Sequence, residues 1–208
     1  MKTTPPARFA HALERHAPQY ELELAPAAVR HLTNYYRLVN TWSARLHLVA
    51  PCTPEAFAAR HVLESLAALH FMPTGARFID VGAGAGLPSL PCLLARADLG
   101  ATLVEASTKK VIFLLEAISQ LGLRGRAEVR AERFERTSAP PAGFVTCRAL
   151  ERFTELLPQL VAWSPPASTL LLFGGPALAE KIEGLDLPCQ MVIMPESDQR
   201  FLFVVERT

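Results

Sequence analysis

The stretch Arg77–Pro91, RFIDVGAGAGLPSLP, places three alternating glycines directly after a short apolar run. In parallel sheets flanked by helices, ligands bind at the carboxyl ends of the strands, where the first turn after a strand passes beneath them. Glycine adopts positive φ and lets the backbone approach a ligand without a Cβ in the way. The amides at the start of the following helix can hold a carboxylate or phosphate. Gly82, Gly84 and Gly86 are therefore predicted to form a ligand cradle.

Downstream of this stretch, apolar runs of strand length alternate with segments of helical length. The runs are RFIDV (Arg77–Val81), ATLVE (Ala101–Glu105), AEVRA (Ala127–Ala131), GFVTC (Gly143–Cys147) and TLLLF (Thr169–Phe173). Continuous apolar strands separated by helices are typical of an α/β fold with a parallel sheet. The last two runs, Gln190–Met194 and Arg200–Glu206, are too close for a crossover helix and predict a terminal antiparallel hairpin.

The first third of the chain has helical rather than strand periodicity. Val29, Leu32, Tyr36 and Val39 recur at three- and four-residue steps, and Thr53-Pro54 is typical of the start of a second helix. A chain of 208 residues is of the size of one domain, since domains mostly contain about 100–200 residues. We expect a single domain, with a helical extension at residues 1–72 and an α/β core at residues 73–208.

The composition excludes several classes of protein. No uncharged apolar run approaches the ~20 residues that cross a bilayer, and the first twenty residues lack the apolar segment of a signal peptide, so we expect a cytoplasmic protein with no membrane partner. The four cysteines form no C-x-x-C pair, so neither a metal site nor a disulfide framework is predicted. The net charge of +1 gives little general attraction to nucleic acid. One local basic group is present, which is either a contact surface or a solvated face: Arg124, Arg126, Arg130, Arg133 and Arg136.

The spacing of the glycines discriminates between cofactors. In the dinucleotide fingerprint G-x-G-x-x-G/A, the third position falls on Leu87 when the pattern starts at Gly82 and on Ser89 when it starts at Gly84. A nicotinamide oxidoreductase is therefore a weak alternative. About 20 residues after the loop, Glu105 ends the second run, where an acid accepts hydrogen bonds from ribose hydroxyls. The loop, the strand and this acid together predict a cofactor that contains a ribose.

The sequence resembles the bacterial small-subunit (16S) ribosomal RNA guanine-7 methyltransferases of the glucose-inhibited division protein B type, from about Trp42 to Glu206. The loop G-x-G-x-G-L-P with a second proline three residues later is the most specific part of the resemblance. The other matching segments are WSARLHLVA (Trp42–Ala50), RHVLES (Arg60–Ser65), LVEASTKKVIFL (Leu103–Leu114), CRAL (Cys147–Leu150) and RFLFVVER (Arg200–Arg207).

The resemblance implies a Rossmann-like class I methyltransferase fold, with a mostly parallel seven-stranded sheet, an antiparallel last strand and preceding helices. It implies that S-adenosylmethionine donates a methyl group to nitrogen 7 of a guanine in small-subunit ribosomal RNA, which leaves S-adenosylhomocysteine. The RNA partner would be recognised within a ribosomal particle, by a monomer that needs no metal. A related methyltransferase with another substrate and a cofactor-binding protein without turnover are the alternatives.

Residue roles follow from the matched positions. Arg148 matches an arginine that closes over the methionine end of the cofactor and faces the substrate, and Glu105 matches the ribose-binding acid. The expected catalytic residues are Arg60, His61 and Arg148. With the cradle included, the expected cofactor contacts are Asp80, Gly82, Gly84, Gly86, Leu87, Glu105, Arg133, Phe134 and Arg148. Purely structural roles are the alternatives for two of these residues: His61 as a packed histidine and Arg148 as a salt-bridge partner.

Three segments depart from the family pattern. His47-Leu48-Val49 stands where the family has Asn-Leu-Thr, and Cys147 replaces the serine of Ser-Arg-Ala. Gly174 occupies the position of a lysine that precedes the glycine at the end of the fifth strand. We expect these departures to affect target recognition more than cofactor binding.

Overall fold

One seven-stranded sheet organises the computed structural model, which describes residues 4–207. Its strands are β1 (Arg77–Val81), β2 (Gly100–Val104), β3 (Ala127–Arg130), β4 (Phe144–Arg148), β5 (Thr169–Gly174), β6 (Cys189–Ile193) and β7 (Phe201–Glu206). Their order across the sheet is β3-β2-β1-β4-β5-β7-β6. The first five strands pair in parallel, and β7 runs antiparallel to β5 and β6. The predicted fold and the terminal hairpin are confirmed.

Helices precede the sheet and connect its strands. They are α1 (Pro5–His16), α2 (Pro26–Leu46), α3 (Pro54–Phe57), α4 (Glu64–Leu66), α5 (Ser89–Ala95), α6 (Thr108–Gln120), α7 (Phe153–Trp163) and α8 (Pro176–Glu183). A π-helical segment, Ala58–Leu63, joins α3 to α4. Several helices start with proline, which has no N–H to leave unpaired there. Thr53 caps α3 by accepting a hydrogen bond from the Ala56 amide, as its sequence predicts.

The helical extension shares its apolar core with one face of the sheet. Phe9, Tyr35 and Phe57 from the extension belong to the same buried cluster as Phe78 of β1 and Phe113 of α6. A second buried cluster, on the other face, joins the strands to α7 and α8. Successive residues of β1 enter different clusters because side chains alternate between the faces of a strand. The extension therefore covers the sheet rather than projecting from it.

A buried hydrogen bond connects the extension to the glycine loop. Tyr35 of α2 is fully buried, and its hydroxyl donates to the carbonyl oxygen of Ala85 at 2.9 Å. Burial raises the pKa of this phenol, so the hydroxyl keeps its proton and remains a donor. The contact holds the middle of the loop against the helical layer.

Removing only this hydroxyl tests the contribution of the contact. Tyr35→Phe leaves the Ala85 carbonyl buried without its partner, so the free energy of unfolding should fall by about 1–3 kcal/mol. Tyr36→Phe is the matched control, because the Tyr36 hydroxyl donates no hydrogen bond within residues 4–207 and its ring stacks on Phe9. Urea unfolding of both variants measures the difference. An equal effect of the two substitutions would contradict the proposed role of Tyr35.

Candidate active site

The glycine loop follows β1 in a conformation that only glycine adopts easily. Gly82 and Gly86 have φ of +70° and +79°, in the left-handed region. A Cβ at Gly82 would also lie 2.8 Å from the side chain of Leu150. The amides of Gly82 and Ala83 donate to the carbonyl oxygen of Val104 at 2.9 and 3.2 Å, which fastens the loop to the end of β2. The loop is therefore tightly placed at the carboxyl end of the sheet.

A cavity of about 500 Å³ opens beside this loop. Such a volume suits a small-molecule ligand, because binding pockets measure about 300–1,000 Å³. The cavity extends from the loop and the end of β2 to the turn after β3 and to the connection between β4 and α7. Its lining includes Gly82, Glu105, Ser107, Glu132, Arg133, Phe134, Ala149 and Leu150. We call it the first cavity.

Glu105 is held in place on the floor of the first cavity. Its side chain is largely buried, and its two carboxylate oxygens accept from the amides of Gly84 at 2.9 Å and Ser107 at 2.7 Å. Each oxygen of a carboxylate has a second lone pair, so both can accept a further hydrogen bond from a ligand. Gly84 thus acts by orienting Glu105. This arrangement suits a ligand with neighbouring hydroxyl groups, such as a ribose.

Asp80 lies behind the loop instead of facing the first cavity. It is fully buried, and its carboxylate accepts from the Thr146 hydroxyl at 3.0 Å and from the Ser89 amide at 3.4 Å. Burial raises its pKa to about 6. The prediction that Asp80 contacts the cofactor is therefore not supported, because this side chain is directed into the protein. This hydrogen bond also engages the Ser89 amide at the start of α5, one of the amides that the sequence predicted to hold a ligand.

The remaining loop residues also support the cradle from behind. Neither Gly86 nor Leu87 is among the lining residues of the first cavity within the described chain. A Cβ at Gly86 would collide with the Leu90 side chain, and Leu87 is itself buried in the core. These two positions are therefore placed to shape the turn, and direct cofactor contacts at them stay predictions.

Sequence reasoning overlooked Glu132. Its Oε1 atom is buried and has no hydrogen-bond partner among the described residues, and the side chain lines the first cavity. A buried acceptor without a partner in the protein is rare, and its donor must come from outside the chain, as a water molecule or a ligand. Arg133 and Phe134, predicted at this place, line the same cavity, and Phe134 packs edge-on against Trp163 at 5.6 Å between ring centroids. An acid just after the third strand was the available signal.

A second cavity of about 380 Å³ adjoins the first and shares Ala149 and Leu150 with it. Aromatic and small residues form most of its wall, and two arginines and one glutamate lie at its edge. The lining residues are Glu64, Arg148, Ala149, Leu150, Phe153, Thr154, Phe173, Gly174, Gly175, Ala177, Leu178, Met194, Arg200 and Phe201. Neither Glu64 nor Arg200 is among the site residues predicted from the sequence.

Glu64 joins the two arginines. It is only 2% exposed, and its carboxylate accepts from Arg148 Nη2 at 3.0 Å and from Arg200 Nε at 2.6 Å. The three residues come from α4, from the end of β4 and from the position just before β7. We call them the Glu64 triad. Its net charge is +1, because one carboxylate faces two guanidinium groups.

Arg148 belongs to the second cavity rather than to the first. Its guanidinium lies 5.5 Å from the centroid of the Phe173 ring, and Nη1 is buried without a hydrogen-bond partner among the described residues. The structure therefore does not support the predicted contact of Arg148 with the cofactor. The predicted position toward the substrate and the salt bridge are both compatible with this geometry.

Arg60 and His61 line neither cavity within the described chain. Arg60 is exposed and meets Arg148 through its main-chain carbonyl oxygen, which accepts from Nη2. The His61 ring packs against Phe57 at 5.1 Å between centroids. Burial, with the nearby charges of Arg148, Arg60 and Arg200, lowers the pKa of His61 to about 4. His61 is therefore neutral at pH 7 and acts there as a packed ring.

Comparison with known proteins identifies the family. A family model described as rRNA small subunit methyltransferase G (GidB) matches residues 28–202. This chain belongs to that family. A member from Halorhodospira halophila is 32% identical over 83% of this chain and 82% of its own length, and one from Acidiphilium cryptum is 38% identical over 74% and 69%. Both are named ribosomal RNA small subunit methyltransferase G.

Solved structures show the same fold. An RNA methyltransferase from Salinibacter ruber in complex with S-adenosyl-L-homocysteine has a TM-score of 0.57 and 16% identity, covering 76% of this chain and 94% of its own. A SAM-dependent methyltransferase from Aquifex aeolicus has a TM-score of 0.55 and 18% identity, covering 74% and 93%. At these identities the likeness concerns the fold alone. The GidB family uses S-adenosylmethionine, and the chemistry of three residues that line the first cavity suits that cofactor: Gly82 with its bare backbone and the two acids Glu105 and Glu132.

Two features are absent from residues 4–207. No group of three or more His, Cys, Asp or Glu side chains in this range is arranged to hold a metal ion. None of the helices there is both long and apolar enough to cross a membrane.

Glu105 should determine cofactor affinity. Glu105→Ala removes the acceptor for the ribose hydroxyls and should weaken S-adenosylhomocysteine binding by about 1–3 kcal/mol, roughly 5- to 150-fold. Isothermal titration calorimetry measures the change. Glu128→Ala is the control, because Glu128 is an exposed acid of β3 that pairs with Arg130 and does not line the first cavity. Unchanged affinity of the Glu105 variant would place the ribose elsewhere.

His61 should contribute to the pH dependence of stability. Its pKa falls from 6.5 to about 4 on folding, so the contribution of its neutral form is complete above pH 6.5 and is lost as the pH drops toward 4. His61→Phe keeps a ring against Phe57 but cannot bind a proton. Between pH 7 and 4.5, the wild type should therefore lose up to about 3 kcal/mol more stability than the variant. Urea unfolding at the two pH values tests this, and parallel losses would refute it.

Proposed function

We propose that this chain transfers the methyl group of S-adenosylmethionine to nitrogen 7 of a guanine in small-subunit ribosomal RNA. The observation that carries the proposal is the pair of adjoining cavities at the carboxyl end of the sheet, in a member of the GidB family. One cavity offers contacts for the cofactor, and the other offers space for an acceptor next to it. Methyl transfer requires the two reacting atoms to be held about 3–3.5 Å apart, which adjoining cavities allow.

The residues of the first cavity can hold the cofactor at several points. Glu105 would accept from the ribose hydroxyls, because Gly84 and Ser107 already orient its carboxylate. Glu132 would accept from the exocyclic amino group of the adenine, because its side chain lines the first cavity next to Phe134. Phe134 offers an apolar surface to the same ring. The contact with the adenine that the sequence predicted for Arg133 is thus assigned to its neighbour Glu132.

The cofactor supplies an electrophilic methyl group on a sulfonium sulfur. Nitrogen 7 of guanine has a free lone pair and carries no proton, so the protein needs no general base. The lining of the second cavity is consistent with a reaction that needs no general base. Glu64 is the one carboxylate among its described lining residues, which include no histidine or lysine, and both of its oxygens are engaged by arginines. The task of these side chains is to orient the acceptor and exclude water.

Recognition of the RNA should depend on a few placed contacts. The overall charge of +1 supplies little general attraction to phosphate, so short RNA should bind weakly. A folded ribosomal particle can present several contacts together, to exposed arginines such as Arg60 and Arg133. We propose that the substrate is the small subunit or a precursor of it, and that the protein acts in the cytoplasm as a monomer without a metal.

Transfer of label from tritiated S-adenosylmethionine tests the function. Small subunits purified from cells that lack this protein should accept label in their RNA, and digestion should release 7-methylguanine. Large subunits from the same cells are the control and should stay unlabelled. Label in a small molecule or in protein would favour a related methyltransferase with another substrate. Cofactor binding without any transfer would favour a protein that binds the cofactor but does not turn it over.

A further inference from the structure

A third cavity lies on the surface of the helical extension, between α1 and α3, and has a volume of about 470 Å³. Its lining residues are Arg8, His11, Ala12, Arg15, His16 and Glu55. All but Glu55 belong to α1, where they recur at spacings of three and four residues. At 3.6 residues per turn, these spacings place them along one side of the helix. We call this surface the α1 groove.

The α1 groove presents cationic and polar donors that the protein itself does not use. Arg15 and His11 are exposed, and neither side chain forms a hydrogen bond or an ion pair with another of residues 4–207. Arg8 donates to the Glu55 carboxylate through Nε at 2.7 Å and Nη2 at 2.9 Å, so its Nη1 is left over. These groups are therefore accessible to an acceptor from another molecule.

The arrangement of these donors suits a chain of phosphates better than one small anion. Two arginines and one glutamate give the groove a charge of +1 before any histidine is counted. No buried polar atom that lacks a partner within the described chain belongs to this groove, so it has no enclosed site that would grip a single phosphate. Arg8 and Arg15 are seven residues apart, about 10 Å along the helix axis, which corresponds to about three phosphates at roughly 3.4 Å per step of one strand.

One end of the α1 groove meets the turn that borders the second cavity. The Nδ1 atom of His16 lies 3.2 Å from Oε1 of Glu196, in the turn between β6 and β7. This turn is closed by a hydrogen bond from the amide of Met194 to the carbonyl oxygen of Arg200 at 2.8 Å, and both of these residues line the second cavity. An RNA strand that reaches the second cavity can therefore continue along α1.

The basic group predicted from the sequence between positions 124 and 136 is largely engaged within the protein. Arg126 donates to three main-chain carbonyl oxygens of α5 and of the connection that follows it. Arg130 pairs with Glu128, and Arg124 donates to the hydroxyl of Ser119. The group also lies at the β3 edge of the sheet, opposite the edge formed by β6. Three of its five arginines thus serve local structure.

From these observations we propose that the α1 groove binds the sugar–phosphate backbone of small-subunit RNA next to the segment that is methylated. This inference rests on the proposed function and names a further surface by which that RNA is held. Arg15 and His11 donate to phosphate oxygens, and Glu55 limits the attraction because it holds Arg8. The helix α1 precedes residues 28–202, so this surface lies outside the part of the chain that matches the family model.

Charge changes of opposite sign test the groove. Each phosphate contact makes the association constant fall with about the 0.7–0.9 power of the salt concentration, so one contact contributes about 5- to 8-fold at 0.1 M salt. Arg15→Gln should therefore weaken binding to small subunits about 5- to 8-fold and reduce this salt dependence by about 0.7–0.9. Glu55→Gln releases the guanidinium of Arg8 and should strengthen binding. Filter binding at several salt concentrations, with S-adenosylhomocysteine present, measures both.

Two variants outside the groove are matched controls. Arg124→Gln removes an exposed arginine near the opposite edge of the sheet, and Glu128→Gln breaks an exposed ion pair as Glu55→Gln does. Both controls should bind small subunits with the affinity and salt dependence of the wild type. All four variants should bind S-adenosylhomocysteine normally, since none of these residues lines the first cavity.

Kinetics distinguish binding of the backbone from an effect on the reaction. Arg15→Gln should raise the KM for small subunits and leave kcat unchanged, because α1 holds the RNA and touches no reacting atom. A fall in kcat at unchanged KM would overturn the proposed role of the groove.

Protein-free RNA identifies the chemistry of the partner. Small-subunit RNA that is refolded in magnesium without ribosomal proteins should show the same loss with Arg15→Gln and the same gain with Glu55→Gln. Effects confined to intact subunits would show that the groove contacts a ribosomal protein, and would overturn the proposal.

The outcomes separate this proposal from the proposed function. Wild-type affinity of Arg15→Gln, weaker binding by Glu55→Gln, or equal losses in Arg15→Gln and Arg124→Gln would overturn the assignment of the α1 groove. The proposed function would still stand if the wild-type protein methylates the subunits. Absence of methyl transfer by the wild-type protein would overturn the proposed function itself.

Discussion

The buried carboxylate of Glu64 is the constraint on which the arrangement of the site depends. The guanidinium of Arg148 is mostly buried at the end of β4, that of Arg200 is partly exposed just before β7, and burial of the Arg148 charge requires an opposing one. That opposing charge comes from the helical extension, which therefore contributes to the wall of the second cavity and does not only cover the sheet. Correct placement of Arg148 therefore requires the extension, β4 and β7 to be assembled together.

The glycine loop, like Arg148, is fixed by contacts from several elements of the fold. Tyr35 of the extension binds the carbonyl oxygen of Ala85, Val104 accepts two amides at the start of the loop, and Glu105 accepts another. Asp80 supports the loop from behind through Ser89. Since these partners come from different elements, the cradle is formed before any ligand binds, and little binding energy is needed to order it.

The departures from the family pattern have different consequences. His47 ends α2 with φ of +48°, a left-handed position that asparagine tolerates well, so the replacement concerns the end of a helix. Cys147 is fully buried in β4 and packs in the second apolar cluster. Gly174 alone lines a cavity, and a Cβ there would meet Leu178 at 2.5 Å. In this chain Leu178 thus occupies space next to the main chain that a lysine at position 174 would need.

The sequence by itself determined the elements that depend on local pattern. Apolar runs and their spacing identified all seven strands and the terminal hairpin, because side-chain alternation and connection length are properties of short segments. Positive φ at the glycines and the acid Glu105 were recognisable for the same reason. The tertiary structure alone decided which side chains meet. Asp80 faces inward because of the pleat of β1, and only the fold places Glu132, one of several acids near β3, on the wall of the first cavity. Glu64 finds Arg148 and Arg200 across 84 and 136 residues, because the order of strands in the sheet, and not distance along the chain, brings charges together.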